Sequence, residues 1–180
     1  MIRYVALLRG INISGKNKIA MPELKKAFEE LNYNKVITYI NSGNIIFSCE
    51  TEDRSIILND IRKMIKDRFN LDIPVLVITI QELEKVLSNA PDWWGNDNKE
   101  IYNNIIFIIP PTTYEEVFNE IGEAKKEYEQ IDHYENVIYW SFELKAYSKT
   151  NWIKTASSSI NDKVTIRTVN TVRKILKLGT

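Results

Sequence analysis

Residues Gly10–Lys18 read G-I-N-I-S-G-K-N-K and follow directly on the apolar run Ile2–Leu8. The spacing G-x-x-x-x-G-K is that of a phosphate-binding loop, in which glycine-freed backbone N–H groups and a lysine cradle an anion. The loop departs from that pattern in two ways. Asn17 stands where Ser or Thr would hold a magnesium ion, and no helix can begin before Met21-Pro22, too late to aim its N-terminus at a phosphate. Nucleotide hydrolysis of the P-loop kind is therefore not expected. An anion-binding loop remains, with Arg9, Gly10, Asn12, Ser14, Gly15, Lys16, Asn17 and Lys18 as its candidate residues.

The elements that must position this loop follow from hydrophobic period. Ile2–Leu8 reads as a strand. Pro22 suits a first helical position, and Leu24, Ala27, Phe28 and Leu31 recur at helical spacing. Val36–Ile40 and Ile45–Ser48 read as strands around the turn Asn41-Ser42-Gly43-Asn44. Asp53 or Ser55 can cap a helix carrying Ile57, Leu58, Ile61, Met64, Ile65 and Phe69, which Asn70 ends before a strand over Ile73–Ile78. The order β-α-β-β-α-β is the ferredoxin-like unit.

The second half repeats that order. Strands are expected over Ile101–Ile109, Glu129–Ile131, Asn136–Ser141 and Val164–Arg167, with a turn at Asp132–Glu135. Helices are expected over Tyr114–Ala124, Thr150–Ile160 and Thr168–Leu178. Thr79–Asn89 reads as a connecting helix and Asp92–Glu100 as a polar loop. The expected fold class is α+β: two ferredoxin-like units with antiparallel sheets, a connecting helix and a C-terminal helix, divided as residues 1–79, 80–98 and 99–180.

In this topology the first and second strands run the same way. The Gly10–Lys18 loop and the hairpin Asn41, Ser42, Gly43, Asn44 then leave the sheet at one end, and the hairpin residues join the candidate site. Ordinary turn chemistry explains the same glycines and asparagines equally well. The strands are apolar on both faces (Leu7 and Leu8, Ile45 and Ile46, Leu76 and Val77). Both faces are thus expected to be covered, by the other domain's sheet or by a second chain in a homodimer.

The stretches A-L-L-R-G-I-N-I-S-G-K-N-K-I-A-M-P-E-L (Ala6–Leu24) and Y-I-N-S-G-N-I-I-F (Tyr39–Phe47) resemble the bacterial family called domain of unknown function 1697. That family carries an A-L-L-R-G-I-N-V-G-G-K-N-type opening, an S-G-N-V-x-F hairpin and a C-terminal T-x-R-N-W-x-T-V-x-K-L segment. The last reads T-I-R-T-V-N-T-V-R-K-I here (Thr165–Ile175): Arg167, Thr171 and Val172 match, Thr168 and Val169 replace Asn and Trp, and Ser14 replaces a glycine. The resemblance implies two ferredoxin-like units and no particular activity.

Arg167, with Thr168 and Thr171 at the start of the last helix, forms a secondary anion-binding candidate. Its simpler reading is a helix cap at Thr168. Conventional catalysis has few parts. His133 is the single histidine and falls in an expected turn, and Cys49 is the single cysteine and lacks an activating neighbour. No metal-ligand spacing and no cofactor motif is present. Trp93-Trp94 after Pro91 reads as a linker anchor.

With 24 basic and 24 acidic residues the net charge is zero, which weighs against a dedicated electrostatic nucleic-acid binder. Acids dominate residues 79–135 and bases dominate 149–180. One cysteine excludes an internal disulfide, and no signal peptide or membrane span is read, so a cytoplasmic setting is expected. Three functions follow as expectations. The first is binding of a phosphorylated small molecule or nucleotide at the loop and hairpin. The others are a nucleic-acid module and an interaction protein without catalysis.

Overall fold

The structure, a computed structural model, describes residues 1–180. The chain forms two units, Met1–Glu84 with Arg173–Thr180, and Lys85–Val172.

The first unit runs β1 (Ile2–Leu8), α1 (Met21–Glu30), β2 (Asn34–Tyr39), β3 (Asn44–Cys49), α2 (Arg54–Phe69) and β4 (Val75–Thr79), then enters the helix α3 (Ile80–Ser88). Its sheet has the order β2-β3-β1-β4 with every neighbouring pair antiparallel, so β1 and β2 point the same way. The β1–β3 register runs from Ile2 opposite Cys49 to Leu7 opposite Asn44. Tyr4, Ala6 and Leu8 alternate onto the face that meets Leu24 and Phe28 of α1 and Ile57, Ile61 and Ile65 of α2. Phe47 is fully buried there. Its ring stacks on Tyr33 with centroids 4.6 Å apart and meets Phe28 edge-on at 5.5 Å. Val5, Leu7 and Ile46, on the opposite face, are buried as well.

Local chemistry sets the helix ends. The Asp53 carboxylate accepts the Ser55 N–H at 2.9 Å to start α2, and Asn70 closes it in the left-handed region. Pro22 takes the second position of α1, and Ala20, which precedes the helix, supplies no capping side chain. On the edge strand β2 the pairing slips between Asn34 and Ile37, where Lys35 adopts a φ of 49° and Arg3 donates to its carbonyl at 2.8 Å.

The second unit repeats the sheet with β5 (Ile101–Ile108), β6 (Glu129–Tyr134), β7 (Val137–Glu143) and β8 (Val164–Thr168) in the order β6-β7-β5-β8. All four tryptophans belong to it. Trp94, Trp140 and Trp152 are buried, and the Trp94 indole donates to the Asn104 carbonyl at 2.7 Å. One crossover is α4 (Tyr114–Ile121), opened by a capping box between Thr113 and Glu116 and stopped by Gly122 before the expected end at Ala124.

The other crossover corrects the sequence reading. In place of a helix over Thr150–Ile160 the chain makes three 3-10 turns, Leu144–Lys149, Trp152–Ala156 and Asn161–Lys163. The serine run 157–159 disfavours a helix interior, and the backbone donors are diverted elsewhere. The buried Glu129 carboxylate accepts the N–H groups of Asn151 (2.6 Å), Trp152 (3.2 Å) and Lys125 (2.9 Å) and the Trp140 indole (2.9 Å). The expected turn at Asp132–Glu135 narrows to Glu135-Asn136, because β6 continues to Tyr134 opposite Val137. His133 therefore lies on a strand, where its ring stacks on Tyr114 at 3.6 Å. The last helix, α5 (Val169–Gly179), starts in the second unit, and its residues from Arg173 onward group with the first.

Candidate functional site

The loop after β1 is built by glycines, asparagines and two buried isoleucines. The β1 backbone hands over to its neighbours on both sides: Leu8 N–H donates to the Gly43 carbonyl (2.8 Å) and Arg9 N–H to the Pro74 carbonyl (3.0 Å). Gly10 turns the chain at φ 71°, and Ile11 and Ile19 return to the core with exposures of 1% and 3%. Between them stands a small hairpin. Asn12 N–H donates to the Asn17 carbonyl at 3.1 Å, and Lys16 N–H to the Ile13 carbonyl at 2.9 Å. Its central residues Ser14 and Gly15 both have positive φ (48° and 75°), the pattern of a type I′ turn.

The β2–β3 hairpin supplies the second turn, residues 40–43. The amide of the buried Asn44 donates to the Tyr39 carbonyl (2.9 Å) and the Ser42 hydroxyl (3.0 Å). Gly43 has φ 84°, and a Cβ there would lie 2.7 Å from Leu8 Cβ and 2.9 Å from Ile11 Cδ1. Only glycine lets this turn close over the end of β1.

The two turns meet. Asn12 Nδ2 donates at 3.0 Å both to the Ile19 carbonyl and to the Asn41 carbonyl, while Asn12 Oδ1 accepts the Ile19 N–H at 2.9 Å. An open cleft of ≈ 430 Å³ lies alongside. It is lined by Asn12, Gly15 and Lys18, by Ala20 and Met21 at the start of α1, and by Asn41.

The candidate residues divide into two groups. Asn12, Asn17 (whose amide donates to the Gly10 carbonyl at 2.8 Å) and Asn44 hold the scaffold, and Gly10, Gly15 and Gly43 supply its backbone angles. Ser14, Lys16 and Lys18 are exposed, and the two ammonium groups make no ion pair within the chain. Arg9 and Ser42 are half-buried beside them. The P-loop departures are visible in the geometry: α1 begins at Met21, and the sheet is antiparallel.

Arg167 is 7% exposed, and its guanidinium turns back to the Thr165 hydroxyl (2.8 Å) and the Ile166 carbonyl (2.9 Å). The Thr168 hydroxyl accepts the Thr171 N–H at 3.3 Å and lies 3.0 Å from the Thr171 hydroxyl, which is a helix cap. Cys49 is buried and its sulfur accepts the Thr51 N–H. No three His, Cys, Asp or Glu side chains converge as metal ligands. The largest tyrosine shifts lie outside the loop site. Burial pushes Tyr33 far above its ordinary pKa and Tyr139 up to about 12.

Residues 1–139 match the family described as protein of unknown function (DUF1697). The chain belongs to this family. Both turns of the site fall inside the DUF1697 match, and Arg167, Thr168 and Thr171 fall beyond it. Among solved structures the chain is similar to the conserved bacterial protein SP0830 from Streptococcus pneumoniae. The TM-score is 0.88 at 27% sequence identity, over 99% of each chain. No curated protein matches it. No helix is long and apolar enough to cross a membrane.

Proposed function

We propose that this protein binds a phosphorylated small molecule or a nucleotide in the cytosol, at the cleft between the Gly10–Lys18 loop and the Asn41–Asn44 hairpin. The observation that carries the reading is the Asn12–Asn41 hydrogen bond, which closes two turns distant in sequence beside a cleft lined by Lys18, while Lys16, exposed on the same hairpin, and Lys18 have no protein counter-charge. An ammonium–phosphate hydrogen bond contributes about 1.5–3 kcal/mol, so two lysines suit a ligand with a dissociation constant of roughly tens of micromolar to several millimolar. The nucleic-acid alternative draws little support from the first sheet, since Phe47, the aromatic of β3, is buried against Tyr33 and Phe28.

Calorimetric melting with inorganic phosphate, sugar phosphates and nucleotides tests the proposal. A ligand at a hundredfold excess over its dissociation constant stabilises by about 2.7 kcal/mol, roughly 5–10 °C for a chain of this length. The double change Lys16→Ala, Lys18→Ala is expected to abolish the shift and leave the ligand-free melt unchanged. No shift across the panel, or a shift the double variant retains, overturns the proposal.

A further inference from the structure

The cleft beside the loop and hairpin is larger than one phosphate group needs. Its ≈ 430 Å³ lies in the range of sites that take a whole small molecule or cofactor. Its walls differ in chemistry. On the hairpin, Lys18 lies beside Gly15, its Cε 3.8 Å from where a Cβ on that glycine would stand. The chain entering α1 contributes Ile19, Ala20 and Met21, which bring no charge and no side-chain donor. Met21 is half-buried, packed against the core of the first unit and bordering the cleft as well.

Polar side chains are few by comparison. The Asn12 amide is spent within the protein, on the Asn41 carbonyl and on both backbone groups of Ile19. Lys18 and the exposed Asn41 are the polar side chains that remain along the walls. A sugar phosphate covered here would bring several hydroxyls, and each one lacking a partner would weaken binding. A nucleotide can leave its ribose at the open side of the cleft and cover only its base. An aromatic ring gains from an apolar wall, and methionine suits it further, because its polarisable sulfur makes favourable contacts with ring edges.

We infer that the phosphorylated ligand is a nucleotide whose base lies on Met21 while Lys18 holds its phosphate. Met21 then sets specificity within the phosphate-binding reading of this cleft, on which this assignment rests.

Calorimetric titration of the full chain with adenosine monophosphate and with ribose 5-phosphate, which lacks the base, tests the assignment, since specificity is a difference between two affinities. The nucleotide is expected to bind about tenfold more tightly, a preference that Met21→Gln removes and Met21→Leu largely keeps. Lys18→Ala is expected to weaken both ligands alike. Circular dichroism melts verify that each variant is folded, and the comparison on the parent chain needs no variant. Equal affinity for the two ligands, with Lys18→Ala weakening both, overturns the assignment and leaves the phosphate reading standing. A nucleotide preference indifferent to Met21→Gln or to Lys18→Ala overturns it as well. Binding of neither ligand also overturns the assignment, and no shift across the whole phosphate panel overturns the reading beneath it too.

Discussion

Asn12 shows what one side chain can hold together. Its amide makes three hydrogen bonds, one of them to the other turn, and its own φ of 54° is one that asparagine tolerates better than alanine. Asn12→Ala is expected to cost about 2–3 kcal/mol, from lost hydrogen bonds and backbone strain together. That corresponds to a fall in melting temperature of about 5–10 °C. The lysines four and six positions on should behave differently, since their heads are in water. A thermal melt in which Asn12→Ala matches the parent chain would show that the clamp is not what orders the loop. The same residue marks a limit of sequence reading. Asn12, Asn17 and Asn44 are visible as site candidates, yet an amide that satisfies backbone carbonyls and one that awaits a ligand look identical in one-letter code. Lys16 and Lys18 are legible as cations, and only the folded hairpin shows them without a counter-charge.

At the scale of elements, agreement follows the strength of local signals. The strands and helices of the first unit lie close to where hydrophobic period puts them, because alternation and caps such as Asp53 and Asn70 point the same way. The missing helix after β7 was not legible, because its cause is a carboxylate more than twenty residues upstream, Glu129, capturing the N–H groups of Asn151 and Trp152. A comparable anchor starts α3, where Thr79 N–H donates to the Glu82 carboxylate (2.7 Å) and Glu82 N–H to the Thr79 hydroxyl (3.0 Å). Arg54 Nη2 grips the same carboxylate at 2.9 and 3.0 Å. Burial pushes the Glu82 carboxyl upward, but the Thr79 and Arg54 contacts outweigh it and hold the carboxyl below its ordinary value of 4.5. A depressed folded pKa contributes stability that is complete above the ordinary value and is lost as pH falls through the lower one. Urea melts of the parent chain and Glu82→Gln should therefore differ at about pH 6 and converge as the pH drops below about 4. The difference is modest, since the pair is half exposed. A constant gap across that range would remove the ionised form from the explanation.

For the whole molecule, the repeated four-stranded sheet was legible because each half carries its own alternation and turn residues, although the halves share no residue pattern and the second lacks the second crossover helix. The grouping of Arg173–Thr180 with the first unit was not, since the apolar stripe of a terminal helix does not name its partner. Gly179 lies against Ile80, where a Cβ would collide with that side chain, and Ile175 is fully buried. That contact joins the C-terminal helix to a mid-chain residue far away in sequence, which no local window records.

The confinement of every tryptophan to residues 85–172 makes the protein optically lopsided. Indole emission reports the second unit and is silent about the first, whose chromophores are tyrosines. A phosphate ligand at the Gly10–Lys18 loop should therefore displace the unfolding curve followed by far-ultraviolet dichroism more than the curve followed by tryptophan fluorescence. Equal displacement of the two curves would mean that the units melt as one. The same asymmetry offers an internal ruler, because a tryptophan placed at the exposed Ser14 would be the first unit's sole indole and a direct reporter of its cleft.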